Sequence, residues 1–111
     1  MPAHSRSTGI LLAHGAGAGQ RHPFMTGLRD RLAAAGYPTL TFDYPYVEAG
    51  RRAPDRPEIL LDAHRAAAER LGRYAGQIVL AGKSMGGRVA TMLADELQAL
   101  AVVVFGYPFH P

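Results

Sequence analysis

Short apolar runs alternate with segments of helical period along the whole chain, and this alternation restricts the fold more than any other feature of the sequence. Residues 9–13, 77–82 and 101–105 are largely apolar, whereas residues 39–42 alternate polar and apolar side chains. Short runs of this kind predict strands, and strands that are apolar on both faces are typical of a parallel sheet covered on both sides. The sequence therefore predicts an α/β protein with about four strands.

Three amphipathic segments separate the predicted strands. Pro23 opens the first helix and Gly36 ends it, because these residues suit the two ends of a helix. Asp55 and Glu58 resemble a capping box ahead of the second helix, and residues 47–56, which have no apolar period, are expected to form the only long loop. The predicted apolar stripes are Phe24, Leu28, Leu32 and Ala35; Leu60, Ala63, Ala67 and Leu71; and Gly86, Ala90, Leu93 and Leu97.

The chain is expected to form a single domain over residues 1–111, a three-layer α/β/α arrangement. If right-handed crossovers place the second strand on one side of the first and the third strand on the other, the sheet order becomes 2-1-3-4. Ligands of open α/β sheets bind where the strand order reverses, which is here between the first and third strands. The loops that follow these two strands are therefore predicted to meet.

The strongest motif is a G-x-S-x-G sequence, Gly82-Lys83-Ser84-Met85-Gly86, between an apolar strand and an amphipathic helix. This context is typical of a nucleophile elbow, in which the serine lies on a sharp turn and the residues two before and two after it must be small. The elbow would place the Ser84 hydroxyl at the end of the strand and leave the backbone N–H of Met85 free to donate to an oxyanion.

A phosphate-binding loop is the competing interpretation of the same segment. Gly82-Lys83-Ser84 imitates the end of G-x-x-x-x-G-K-[ST], but the position that must be glycine is Gln77. Residues 78–81 belong to a strand and cannot wrap a phosphate. The sequence therefore favours a serine nucleophile, with a glycine-rich turn capped by Ser84 as the structural alternative.

A second glycine-rich segment, residues 14–19 (HGAGAG), follows the first predicted strand. It is not the G-x-G-x-x-G of dinucleotide-binding proteins, and the only acidic residue that ends the next strand is Asp43. The alternative is an oxyanion loop of the HGGG type, which donates a backbone N–H to the developing charge. Its position beside the third strand favours the oxyanion loop.

These motifs together resemble the α/β-hydrolase superfamily from its third to its sixth strand. The residues that carry the resemblance are LLAHGAGAG (11–19), FDYPY (42–46), GKSMGG (82–87) and GYPFHP (106–111). More narrowly, the chain resembles α/β-hydrolase-like proteins of the KANL/Tex type, relatives of dienelactone hydrolase. The resemblance implies Ser84 as the nucleophile and the amides of Met85 and of Gly15 or Ala16 as oxyanion donors. The expected substrate is a small carboxylic ester, thioester or similar acyl compound, with no cofactor.

In the superfamily the triad acid and then the histidine follow the serine in later parts of the fold. Only 27 residues follow Ser84, and His110 is the only histidine among them. Moreover, residues 101–105 would lie at an edge of the sheet, where apolar strands invite association. The chain is therefore expected to be the N-terminal half of a longer protein, with a natural minimal form that pairs with another chain or dimerises through this strand as the alternative. The alternative to a serine hydrolase is a non-catalytic module that binds a partner or ligand in the same crevice.

The remaining candidates have weaker signals. His14 is expected to organise the backbone beside the oxyanion loop, and Asp43 could orient a histidine or cap a turn. Lys83 could either stabilise the fold or contact an anionic substrate. His22 and His64 are expected to be structural or on the surface. The candidate site-lining residues are His14, Asp43, Tyr44, Lys83, Tyr107 and His110.

Composition excludes several other classes of function. The net charge is +3, but the basic residues are interleaved with acidic ones, so no basic stripe for nucleic acid is expected. The chain has no cysteine, which excludes disulfides and thiolate metal sites, and no spacing of histidines and carboxylates resembles a metal site. No apolar run is long enough for a membrane span, and no apolar signal segment begins the sequence, so the cytoplasm is the expected compartment.

Overall fold

The computed structural model describes residues 7–16 and 19–106. Its strands are β1 (Thr8–Ala13), β2 (Thr39–Phe42), β3 (Gln77–Lys83) and β4 (Ala101–Phe105), and its helices are α1 (Pro23–Ala34), α2 (Pro45–Glu48), α3 (Pro57–Gly72) and α4 (Met85–Leu93). The strands form one parallel sheet in the order β2-β1-β3-β4. The predicted fold class and strand order are confirmed.

The register of the sheet brings the ends of the two central strands together. Ala13, the last residue of β1, is aligned with Phe42 of β2 on one side and with Gly82 of β3 on the other. On the far side of β3, Lys83 is aligned with Phe105 of β4. The loops after β1 and β3 therefore leave the same edge of the sheet next to each other.

Apolar side chains fill both faces of the sheet, because successive residues of a strand point to opposite faces. One face carries the smaller cluster, in which Met25 of α1 packs with Ile10, Leu12 and Ala81. The opposite face is covered by α3 and α4 and contains the larger cluster, including Leu11, Ala13, Phe42, Tyr44, Leu60, Ala67, Leu71, Leu80, Val89 and Leu93. The helices thus cover both faces, as the three-layer prediction requires.

Helix α2 (Pro45–Glu48) extends two residues into the predicted loop of residues 47–56, and the predicted capping box is wrong. Arg56, not Asp55, is the N-cap of α3 and makes no side-chain cap bond. The Asp55 carboxylate is instead buried, accepting a hydrogen bond from the backbone N–H of Tyr46 at 2.9 Å and pairing with Arg51 at 3.2 Å. It stabilises the start of α2 rather than the start of α3.

The last helix is shorter than its apolar stripe predicts. Helix α4 ends at Leu93, and residues 94–98 form turns in which Leu97 still packs against the larger cluster. Gln98 adopts a positive φ of 52°, which a continuing α-helix does not allow. The sequence pattern detected the buried side chain but not the change in backbone direction.

Strand β4 lies at one edge of the sheet, and Val103 is 42% exposed. Self-association through this strand stays a prediction. Within the described residues, no helix combines the length and the hydropathy that a membrane span requires.

Candidate active site

Ser84 lies on the sharp turn between β3 and α4. Its φ of 52° and ψ of −110° belong to a region that residues with a side chain rarely adopt. The N–H of Ser84 donates to the carbonyl of Phe105 at 2.8 Å, and its own carbonyl accepts the N–H of Arg88 at 3.0 Å. The Ser84 side chain makes no cap bond to α4, so the hydroxyl is not used to stabilise the helix.

The glycines around Ser84 are required by the close approach of the backbone. A Cβ atom at Gly82 would lie 2.4 Å from the carbonyl carbon of Gly86 and from the nitrogen of Gly87. At Gly86 it would lie 2.5 Å from the carbonyl oxygen of His14. These distances are too short for any side chain, and the colliding atoms are backbone atoms that cannot rotate away. The turn therefore needs glycine at both predicted positions.

Gly87 has a similar requirement that the motif did not predict. A Cβ atom there would lie 2.5 Å from Cγ1 of Val104 in β4. The residue lets the first turn of α4 pack directly on the sheet. The doubled glycine at 86 and 87 was visible in the sequence, but the motif assigns a role only to the first of the two.

Gly15 brings the loop after β1 against Ser84. A Cβ atom at Gly15 would lie 3.5 Å from Cβ of Ser84 and 3.2 Å from the carbonyl oxygen of Lys83. Gly15 is buried, whereas the next residue, Ala16, is exposed. The two glycine-containing segments therefore meet beside the serine.

His14 is fully buried and holds this loop through both ring nitrogens. Nε2 accepts the backbone N–H of Tyr44 at 3.2 Å, so Nδ1 carries the proton and donates it to the carbonyl of Gly15 at 2.8 Å. Burial lowers the pKa of His14, although the Gly15 carbonyl and the Asp43 carboxylate oppose the shift. The imidazole is therefore neutral at pH 7, and both of its nitrogens are engaged.

The bond from His14 also sets the direction of the next peptide unit. In a trans peptide the carbonyl and the following N–H point in opposite directions. Because the Gly15 carbonyl points to the His14 ring, the N–H of Ala16 points away from it. Ala16 is exposed, and its N–H is not bonded to the imidazole of His14.

Asp43 holds the far end of the same loop. Its Oδ1 accepts the backbone N–H of Gln20 at 2.8 Å, and the Gln20 side chain accepts the hydroxyl of Thr41 at 2.8 Å. A Cβ atom at Gly19 would lie 2.7 Å from the same carboxylate oxygen. Asp43 is thus bound to the loop backbone.

Lys83 is directed to the side of the sheet that α1 covers. Its Nζ lies 5.5 Å from the centroid of the Phe24 ring, and that ring makes an edge contact with Phe105 at 5.6 Å. A cation over an aromatic face is stabilised by the ring quadrupole. Two other candidates, Tyr107 and His110, lie outside the described residues.

Two buried polar residues behind the loop have a larger part in the structure than the sequence suggested. The Tyr44 hydroxyl lies 2.8 Å from Nδ1 of His64, and both side chains are fully buried. Burial raises the pKa of Tyr44, with Tyr46 adding to the shift, and lowers the pKa of His64 to about 4. His64 is four residues from Leu60 and three from Ala67, so the helical period could have placed it on the inner face of α3.

A cavity of about 830 Å³ lies away from Ser84. It lies at the opposite end of the sheet, between the start of β2 and the last turn of α3. The described residues also contain no cluster of three or more histidine or carboxylate side chains that could hold a metal ion.

A parallel α/β sheet with a serine on a strained strand-to-helix turn, packed against a glycine loop from the neighbouring strand, is the arrangement of α/β hydrolases. Residues 6–111 match the protein family described as an alpha/beta hydrolase domain. Since the match covers almost the whole sequence, the chain belongs to this family. No curated protein matches the sequence significantly.

Two solved structures show the same fold. One comes from work on the metagenome-derived lipolytic enzymes LipS and LipT; it superposes with a TM-score of 0.67 at 23% identity, covering 84% of this chain and 38% of that one. The other, assigned as a hydrolase of the alpha/beta superfamily from Xanthomonas campestris pv. campestris, has a TM-score of 0.59 at 28% identity, covering 89% of this chain and 56% of that one. This chain therefore spans between about a third and somewhat over half of their length.

Proposed function

We propose that this chain carries the nucleophile and the oxyanion site of a serine hydrolase that acts on a carboxylic ester, thioester or related acyl compound. The observation that carries the proposal is the backbone of Ser84, held at a φ of 52° between Gly15 and the first turn of α4. A strained conformation of this kind costs about 1–3 kcal/mol and persists where the surrounding structure imposes it. Here the imposed conformation presents a hydroxyl that stabilises no helix end.

In the proposed reaction the Ser84 oxygen adds to the carbonyl carbon of the substrate, and its proton passes to a general base. The carbonyl oxygen becomes an oxyanion that accepts hydrogen bonds from the N–H of Met85 and of Ala16. The direction of the Gly15 carbonyl supports Ala16 rather than Gly15 as the second donor. Each such donor contributes about 3 kcal/mol to the stabilisation of the transition state. Collapse expels the alcohol or thiol, protonated by the base, and water then hydrolyses the acyl-enzyme.

The general base is expected outside the described residues. Among the described residues, no histidine is hydrogen-bonded to the Ser84 hydroxyl. His14 has both ring nitrogens engaged in other bonds, His64 is fully buried and bonded to Tyr44, and His22 is the N-cap of α1. A serine without a base is a poor nucleophile at neutral pH. His110 is one candidate, and a segment of the fold that this chain does not span is the other.

The narrower resemblance to the KANL/Tex type and to dienelactone hydrolase supports a small acyl substrate and stays a prediction. The cytoplasmic location, the absence of a cofactor and the truncation of the chain are likewise expectations. They follow from sequence features alone.

Fluorophosphonate labelling tests the proposal. The wild-type chain should react at Ser84, identified by mass spectrometry, and Ser84→Ala should not react. Ser7→Ala is the matched control because Ser7 lies at the start of β1, away from the site, and should label as the wild type does. Added imidazole should accelerate labelling of the wild type if the chain lacks only its base.

A non-catalytic binding or assembly module is the second candidate function. It is favoured by the one observation that no described histidine is hydrogen-bonded to Ser84. A folded chain that never labels, with or without imidazole, while Ser84 remains accessible to solvent, would support the module and contradict the hydrolase.

A further inference from the structure

Tyr44 and His64 form a buried polar pair behind the loop that follows β1, and the proposed hydrolysis uses neither side chain. Tyr44 precedes α2 and His64 lies in the middle of α3, and their side chains meet at 2.8 Å. Both are completely shielded from solvent. Burying polar groups is unfavourable unless they are hydrogen-bonded. The complete burial of this polar pair therefore needs an explanation in the structure.

The bond to Tyr44 fixes the His64 ring. Nε2 of His64 has no hydrogen-bond partner among the described residues. The imidazole is also held by an edge contact with the Phe42 ring, whose centroid lies 5.2 Å away. Phe42 makes a similar contact with Tyr44 at 5.0 Å. The end of β2, Tyr44 and α3 are therefore packed as one unit.

Tyr44 connects this unit to the loop beside Ser84, because it is bonded at both ends. Its hydroxyl meets His64, and its backbone N–H donates to Nε2 of His14 at 3.2 Å. The two rings also make an edge contact at 4.9 Å. His14 in turn donates from Nδ1 to the carbonyl of Gly15 at 2.8 Å. A continuous series of bonds thus runs from α3 to the loop.

The series controls which nitrogen of His14 carries the proton. When the N–H of Tyr44 donates to Nε2, the proton of the neutral ring must be on Nδ1, where it holds the Gly15 carbonyl. If Tyr44 moves, the proton can transfer to Nε2 and the carbonyl loses its donor. The peptide between Gly15 and Ala16 can then rotate and direct an oxygen, instead of an N–H, towards the oxyanion position.

We propose that Tyr44 and His64 are positioning residues for the oxyanion loop, acting through the tautomer of His14. The catalytic part of this inference rests on the proposed serine hydrolase function. The structural part, which is the tautomer and the direction of the Ala16 amide, does not depend on activity.

Four variants of the full chain test the inference by NMR. Tyr44→Phe removes only the hydroxyl, and His64→Leu replaces the partner of that hydroxyl with an apolar side chain of similar volume. His64→Asn places an amide where Nδ1 stood and should restore the bond. Tyr74→Phe is the matched control, since Tyr74 is 66% exposed and lies in the turn after α3.

The ¹⁵N spectrum of the His14 imidazole and the shift of the Ala16 amide are the readouts. The wild type, His64→Asn and Tyr74→Phe should show His14 with the proton on Nδ1 alone. Tyr44→Phe and His64→Leu should show a second population protonated on Nε2, together with a shifted Ala16 amide. If Tyr44 and His64 had only a structural role, the substitutions would lower the unfolding temperature but would leave the His14 and Ala16 signals of the folded chain unchanged.

Labelling rates provide the catalytic readout under conditions where every variant is folded. Tyr44→Phe and His64→Leu should react about tenfold more slowly than the wild type, because small misplacements of a donor weaken transition-state binding. His64→Asn should react within about twofold of the wild-type rate, because its amide restores the bond to Tyr44. If the wild type does not label even with added imidazole, the proposed function fails, whereas the NMR readouts still decide the positioning role.

Two results would overturn the inference. One is a folded Tyr44→Phe or His64→Leu chain whose His14 and Ala16 signals match those of the wild type. If these variants do not fold, the wild type decides alone: a His14 ring protonated on Nε2, or a Tyr44 hydroxyl proton that exchanges as fast as that of an exposed tyrosine, contradicts the inference. A His14 ring protonated on Nδ1, together with a slowly exchanging Tyr44 hydroxyl proton, supports it.

Discussion

The two loops that meet at Ser84 are held in place by different physical means. The turn after β3 is fixed by the absence of side chains, since backbone atoms occupy the positions that Cβ atoms of residues 82 and 86 would need. The loop after β1 is fixed by polar side chains, with His14 holding its start and Asp43 its end. Steric constraint tolerates no substitution, whereas a hydrogen-bonded loop can be weakened one bond at a time. Mutations should therefore affect the two loops differently.

The largest effect is expected where a side chain is added to the turn after β3. Gly82→Ala should destabilise the fold by about 4 kcal/mol or more, because the new carbon collides with backbone atoms of α4. Urea denaturation measures the change. Gly27→Ala in α1 is the control, since nothing lies within 4 Å of its Cβ position, and it should stabilise the chain by up to about 1 kcal/mol. Equal effects of the two substitutions would contradict the steric account.

Acidic pH should weaken the polar network behind the loop after β1. The pKa of His64 is about 4 in the folded chain, against 6.5 for an unperturbed histidine. The unfolded chain therefore binds the proton first, and stability falls as the pH decreases from 6.5 towards 4, by about 3 kcal/mol from this group. His14, whose pKa is also lowered, acts in the same direction.

Comparing His64→Asn with the wild type over this pH range isolates the contribution of His64. The variant should lose stability less steeply, because it has no imidazole to protonate at this position. Parallel curves of stability against pH would show that folding does not change the pKa of His64, which would contradict the expected effect of its burial.

Substitutions at Ser84 separate the strain of the turn from the chemistry of the hydroxyl. Ser84→Gly and Ser84→Ala should both abolish labelling, but the glycine variant should be more stable than the alanine variant by about 2 kcal/mol, because a positive φ suits glycine. Thermal or chemical unfolding of the pair measures the difference. Indistinguishable stabilities would mean that the turn relaxes once the hydroxyl is gone.

The smallest effect is expected at the end of the loop after β1. Asp43→Ala removes the acceptor of the Gln20 amide and should cost about 1 kcal/mol. Asp43→Asn retains an oxygen at the same place and should cost less. Amide exchange of Gln20 reports the bond directly; if it is equally protected in all three chains, another group accepts this N–H.

The same contrast explains what the sequence could predict. Every turn of this kind needs glycine or another small residue two positions before and two positions after the serine. The pattern of Gly82 and Gly86 is therefore enough to indicate the turn. Apolar periodicity likewise predicted the strands, and the handedness of the crossovers predicted their order. Hydrogen bonds between distant polar residues leave no periodic pattern, so the bonds of Tyr44 to both His14 and His64 appear only in the folded chain. The predicted capping role of Asp55 was wrong for the same reason. Its partner, the backbone N–H of Tyr46, is nine residues away and does not lie in the helix that follows Asp55.

A single backbone hydrogen bond connects Ser84 to the edge of the sheet. The amide of Ser84 is anchored on the last carbonyl of β4, which is an outermost strand. Outermost strands separate from their neighbours more readily than inner ones, so fraying at Phe105 frees the serine amide in the same event. A further strand added alongside β4 would slow that fraying and prolong the lifetime of the Ser84 turn, so the persistence of this turn depends on the whole sheet.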